Sequence, residues 1–80
     1  MPGMARPSTP DPRLARAIRD QRERADLSQE AAAHGAGLTV SAYARIERGE
    51  ANPTWTTVTQ IARGLDVSLP TLVAAIEKSR

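Results

Sequence analysis

Apolar positions recur at three- and four-residue steps along most of this 80-residue chain, the period of helices that bury one side. Leu14, Ile18, Arg22 and Ala25 form the first such stripe and predict a helix over Pro12–Arg24. Asp11 precedes it as an N-cap, and Pro12 stands where a missing N–H costs nothing. Ser28 caps a short second helix from Gln29 to about His34, ended by Gly35 and Gly37. Thr39 caps a third, Val40–Arg48, stopped by Gly49 where a left-handed residue is wanted. A fourth opens after Asn52 or Thr54, with Trp55, Val58, Ile61, Ala62 and Leu65 expected on one face. Ser68 caps a fifth, with Pro70 in its first turn and Leu69, Leu72, Val73 and Ile76 as its stripe. No two-residue alternation competes with this pattern. The expected fold is all-α, five helices in one compact domain over residues 11–80.

The first ten residues carry Pro2, Gly3, Pro7 and Pro10 without periodicity, and read as a flexible tail. So short a domain draws only about 3–5 kcal/mol from its core and usually needs a disulfide, a metal or a second subunit. The chain has no cysteine and one histidine, His34, against the three or four ligands of a zinc site. Self-association remains, and no metal or cofactor is expected. His34, at the end of a short helix, is read as a charge favouring the helix dipole.

Net charge is only +2, a weak argument for a nucleic-acid partner. Its distribution says more: six arginines face four acids up to Leu27, and the remainder is balanced. Pairs such as Arg16–Asp20 and Arg19–Glu23 have the spacing of solvated helix faces. No apolar run approaches the roughly 18 residues of a membrane span, and the N-terminus has no signal-peptide core. A cytoplasmic protein is expected. The serines have no histidine–aspartate arrangement around them and there is no phosphate loop, so catalysis finds no support.

The third helix carries the functional signal. At about 100° per residue, Ala42, Tyr43, Ile46 and Glu47 fall on one side, mostly apolar and core-facing. Val40, Ser41, Ala44, Arg45 and Arg48 fall on the other, small at first and basic further along. Such an outer face could simply be solvated. It also has what a helix in the major groove needs: short side chains for close approach, then polar and cationic groups for base edges and phosphates.

The stretch "LSQEAAAHGAGLTVSAYARIERGEANP", continued by "TVTQIARGLDVSL", resembles the phage-repressor (Cro-like, or XRE) helix-turn-helix family. Leu27-Ser28-Gln29-Glu30 open helix 2, Ala33 and Gly37 flank the turn, and Arg45-Ile46-Glu47-Arg48-Gly49 close helix 3. Asn52-Pro53 precede helix 4, and Ile61, Ala62 and Leu65 lie within it. The resemblance runs ungapped from about Leu14 to Leu72. It implies a repressor-type domain that places helix 3 in the major groove of double-stranded DNA, usually as a homodimer on a two-fold operator.

Carried over by position, Ser28 and Gln29 at the helix 2 N-terminus would touch the DNA backbone. Thr39, Val40, Ser41 and Arg45 would face bases or adjacent phosphates; by its chemistry Arg45 is the first choice for the main specificity residue, on a guanine edge, with a phosphate as the alternative. Arg48 would meet a phosphate. Asn52 and Thr54 would hold a flanking phosphate through backbone amides and the helix dipole. The chain departs from the family at Ala32, where a large aliphatic residue is usual, and at Tyr43, whose ring could fill the volume the alanine leaves.

Two structural expectations follow. Arg22 shares the inward stripe of helix 1 and Glu47 the inward side of helix 3, so the two should pair, because a lone buried charge is very costly. The resemblance implies the same. Part of the stripe Leu69, Leu72, Val73 and Ile76 must pack on helices 1 and 4, but so small a core cannot cover all of it, and helix 5 should build a dimer; the alternative is a monomer that uses the whole stripe internally. A transcriptional repressor or autoregulator is the function implied, as in phage and plasmid repressors, restriction–modification controllers and antitoxins. The alternative is a module that keeps the fold and acts by binding a partner protein.

Overall fold

The computed structural model describes residues 10–79, so the expected tail lies almost entirely outside the described residues. Five helices follow in order: α1 Pro12–Arg24, α2 Gln29–Ala36, α3 Val40–Glu47, α4 Trp55–Gly64 and α5 Leu69–Lys78. Each begins on a short polar side chain that accepts from the backbone two or three residues on. Asp11 bonds Arg13 N–H, Ser28 Ala31, Thr39 Ala42, Thr54 Thr57 and Ser68 Thr71. Such caps satisfy donors the helix cannot, each worth about 1 kcal/mol.

The helix ends follow one rule as well. Residues Asp26, Gly37, Gly49 and Asp66 have φ of 59°, 72°, 74° and 58°. After each, an N–H reaches back to a carbonyl in the last turn, as Leu27 does to Arg22 and Leu38 to Ala33. Glycine takes this conformation freely at Gly37 and Gly49; at Asp26 and Asp66 an aspartate, among the few residues that tolerate it, does so instead. Helix α2 runs on through Gly35 to Ala36, further than the His34 expected, whereas α3 stops at Glu47 with Arg48 as its cap.

Helix α1 packs on α5 and α3, while α2 lies between α3 and α4. Ile18, Tyr43, Ile61, Leu65 and Leu72 are the large side chains with almost no exposure. Burying an aliphatic side chain of this size contributes about 1.5–3 kcal/mol. From α2 the core receives only Ala32, Ala33 and Ala36. The two helices make up the volume by approach. A Cβ on Gly64 would lie 2.7 Å from Ala36 N, and one on Gly35 would lie 3.0 Å from Gly64 Cα. Tyr43, fully buried, supplies the bulk on the α3 side.

Several inward and outward assignments change. Trp55, expected on the core stripe of α4, is 64% exposed, because it precedes the first buried residue, Val58, by a full turn. Ala25 falls beyond the last turn of α1 and is exposed. In α3 the two alanines exchange sides: Ala44 is buried and Ala42 exposed. Both lie near the edge of the buried face, where a wheel at fixed pitch decides poorly. Asp20 pairs with Arg24 at 2.9 Å, while Arg16 Nε donates to Ser79 Oγ at 3.0 Å across to α5.

In the dimer stripe the internal share is larger than expected, and the correction falls on Leu72. Leu72 has no exposed surface and belongs to the core of the single chain. Leu69 and Ile76 are half-buried against the same core, leaving Val73, 39% exposed, as the open member. The helix spends most of its apolar face internally.

Candidate nucleic-acid interface

Helix α3 is held from beneath by a polar node. Arg22 Nε donates to Glu47 Oε2 at 2.6 Å and Arg22 Nη2 to Glu47 Oε1 at 3.2 Å. The remaining guanidinium edge donates to the Leu27 carbonyl at 2.8 Å, and Gln29 Nε2 donates to Glu47 Oε1 at 3.0 Å. One guanidinium and one carboxylate thus tie α1, the turn after it, the start of α2 and the end of α3. The side chains are 14% and 2% exposed. A pair this buried is tolerable because its hydrogen-bonding groups are largely satisfied.

Burial alone would raise the Glu47 carboxyl. The Arg22 guanidinium, with smaller help from Tyr43 and Gln29, outweighs it and holds the group below the usual carboxylate range. Tyr43 Oη is buried without a partner at hydrogen-bonding geometry, so its help is electrostatic attraction short of a formed bond. Burial first, and the neighbouring Glu47 carboxylate second, push the phenol well above its ordinary range.

With its inner face fixed, α3 presents Val40, Ser41, Ala42 and Arg45 outward, and its cap Arg48 is exposed beyond them. Ala42 joins this surface although the sequence pattern placed it inside. Its methyl is short and apolar, suited to a thymine methyl. Arg45 is exposed and, among the described residues, takes part in no ion pair. Arg48 is committed differently: Nε and Nη2 meet Glu50 at 2.9 and 3.1 Å on the open surface. That pairing raises the arginine and lowers the carboxyl from their ordinary ranges.

The remaining candidates divide by what they already do. Ser28, Thr39 and Thr54 accept from backbone N–H groups as caps. An accepting hydroxyl keeps its own proton, so Ser28 and Thr39 could still donate to a phosphate. Thr54 also shares a 3.1 Å hydroxyl contact with Thr57. Gln29 spends one amide hydrogen on Glu47 and retains the other. Asn52 is exposed in the connection between α3 and α4. Leu69, Val73 and Ile76 lie on α5, apart from this set in sequence.

Among the described residues no group of three or more histidine, cysteine or acidic side chains is placed to hold a metal. No helix among them is long and apolar enough to cross a membrane.

Sequence and structure comparisons agree on the architecture. No curated protein matches the sequence. Among solved structures, the wild-type restriction–modification controller protein C.Esp1396I superposes with a TM-score of 0.84 at 25% identity, covering 91% of this chain and 96% of that one. The tetramer of that controller in complex with its natural 35 base-pair operator matches with the same score, identity and coverage. The helix-turn-helix domain family matches residues 13–76, nearly the whole described chain. With α2, the turn at Gly37 and α3 arranged as above, this chain belongs to the helix-turn-helix domain family.

Proposed function

We propose that the protein is a sequence-specific, double-stranded-DNA-binding regulator of transcription, a repressor or autoregulator, that inserts α3 into the major groove. The observation that carries this reading is the outer strip of α3. Small side chains at Val40, Ser41 and Ala42 are followed by an arginine without an ion-pair partner among the described residues, on a helix whose inner face is fixed by the Arg22–Glu47 node. Small residues permit close approach, and Arg45 supplies a bidentate donor for a guanine edge. Ser28, Gln29, Thr39, Arg48, Asn52 and Thr54 serve as backbone contacts that set register. The role is non-enzymatic. The similar controller protein bound to its operator as a tetramer supports the same mode of action here.

A single helix of two turns reads few bases, so two copies are needed on a near-palindromic site. A two-fold dimer sets the α3 pair about 34 Å apart, one turn of DNA. Val73, edged by Leu69 and Ile76, is the surface of α5 left for that contact.

Selection of bound duplexes from a random DNA library tests the reading. A recovered motif with two-fold symmetry is expected. Arg45→Ala should then lose about 1–3 kcal/mol and relax preference at one position of each half-site. An unchanged motif and affinity would remove α3 as the reading element. Retention of a partner protein with no DNA recovered would favour the partner-binding alternative.

A further inference from the structure

Three branched or aromatic apolar side chains stand exposed among the described residues: Val40, Trp55 and Val73. Val40 lies on the reading strip of α3 and Val73 on the open side of α5. Trp55 belongs to neither surface. It is the chain's one tryptophan, 64% exposed, and directly follows the Thr54 cap.

Building on the DNA-binding reading, we propose that Trp55 is a further positioning residue, one that lies on the sugar–phosphate wall of the operator beside α3. The wall alternates apolar deoxyribose with phosphate oxygens. An indole matches both, with a flat apolar face and one N–H donor that can reach a phosphate. Its neighbours in sequence fit that surface: Asn52, Thr54 and Thr56 are polar, exposed and uncharged, and add no repulsion toward a phosphate. The ring is also continuous in sequence with the residues assigned to the flanking phosphate. A contact of this kind carries no base information. It fixes how deeply and at what angle α3 enters the groove.

The test uses the full-length protein and a duplex recovered by the selection described above. The indole emission of the parent should change on titration with that duplex, saturating with binding. Trp55→Ala should weaken binding about tenfold, and equally for the recovered duplex and for one with its half-sites scrambled, leaving the selected motif unchanged. Because no charge is removed, the salt dependence should keep its slope. Trp55→Phe keeps the apolar face without the donor and should recover part of the loss. Circular dichroism of each variant checks that this exposed substitution leaves the fold in place.

Parent-like affinity of Trp55→Ala, with tight operator binding retained, would overturn the proposal and leave the DNA-binding reading standing. Emission that changes with protein concentration alone and not with DNA would assign the ring to a contact between copies, and would overturn it too. A parent that recovers no duplex would overturn both.

Discussion

Helix α2 is held on its two sides by opposite means. Toward α1 and α3 it meets a buried ion pair, with Gln29 donating into the Arg22–Glu47 node. Toward α4 it offers almost no side chain, and Gly35 meets Gly64 backbone to backbone. The first contact is directional: two charges must meet at a fixed distance or one is left buried and uncompensated. The second is steric: the helices sit close because nothing intervenes. Together they fix the placement of α2 against both neighbours, and through the turn at Gly37 the placement of α3. Charge sets orientation on one side and absence of volume sets spacing on the other.

Removing one partner of the ion pair should produce the largest effect. Glu47→Ala leaves the Arg22 guanidinium with one carbonyl for company and is expected to cost about 3–5 kcal/mol. Urea unfolding would read that directly, and a variant melting within a degree or two of the parent would deny the node its role. Gly64→Ala comes next. Its methyl would lie 2.7 Å from a backbone nitrogen and 3.0 Å from the Ala32 carbonyl oxygen, neither the end of a flexible chain. The helices must part, at about 1–3 kcal/mol. Gly35→Ala, with its closest contact at 3.0 Å, should cost less than Gly64→Ala, and the reverse order would show that the crossing relaxes differently from its static geometry.

The two sides separate further in acid. Glu47 has a folded pKa below its unfolded value of about 4.3. The stability it adds is therefore complete above that pH and is lost as pH falls through the lower folded value. The Gly35–Gly64 contact contains nothing that titrates. Thermal melts from pH 5 downward should show Glu47→Gln losing stability less steeply than the parent, and Gly64→Ala following the parent's slope. Equal slopes for all three would place the acid sensitivity in the surface pairs instead. The smallest effect belongs to Tyr43→Phe, which removes a buried hydroxyl without a bonded partner. Differential scanning calorimetry should find it within about 1 kcal/mol of the parent, on the stabilising side. A clear loss would mean that the phenol bonds Glu47 in solution.

This contrast also explains which features could be read from the chain. A cap is a local event: a short polar side chain bonds an N–H two or three positions on. Asp11, Ser28, Thr39 and Ser68 therefore announce their helices in one dimension, and Thr54 shared the announcement with Asn52 until the structure chose it. The Arg22–Glu47 pair was legible because a charge on an apolar stripe demands a partner. The Gly35–Gly64 approach was not, since it exists only once two helices cross. Trp55 and Leu72 failed for a related reason. Periodicity gives the angle of a side chain about its helix, but not whether a wall stands opposite. The core ends before Trp55 and reaches fully over Leu72. On α3 the outer positions of Val40, Ser41, Arg45 and Arg48 were visible, while Ala42 and Ala44 were exchanged, both sitting at the margin between buried and open.

The Arg48–Glu50 pair bears on how the protein would respond to ionic strength. An arginine that closes on a phosphate ordinarily displaces a condensed cation from the duplex, and each such contact steepens the fall of affinity with salt by about 0.9 in a log–log plot. Arg48 would arrive already carrying its own anion, one that it must shed or bring near the duplex. Part of the gain is offset by repulsion from Glu50, and the exchange is less favourable than for an unpaired cation. The chain thus carries an internal competitor for one phosphate, two residues from the arginine that would bind it, and its effect would fall on backbone affinity alone, without weakening any contact to a base.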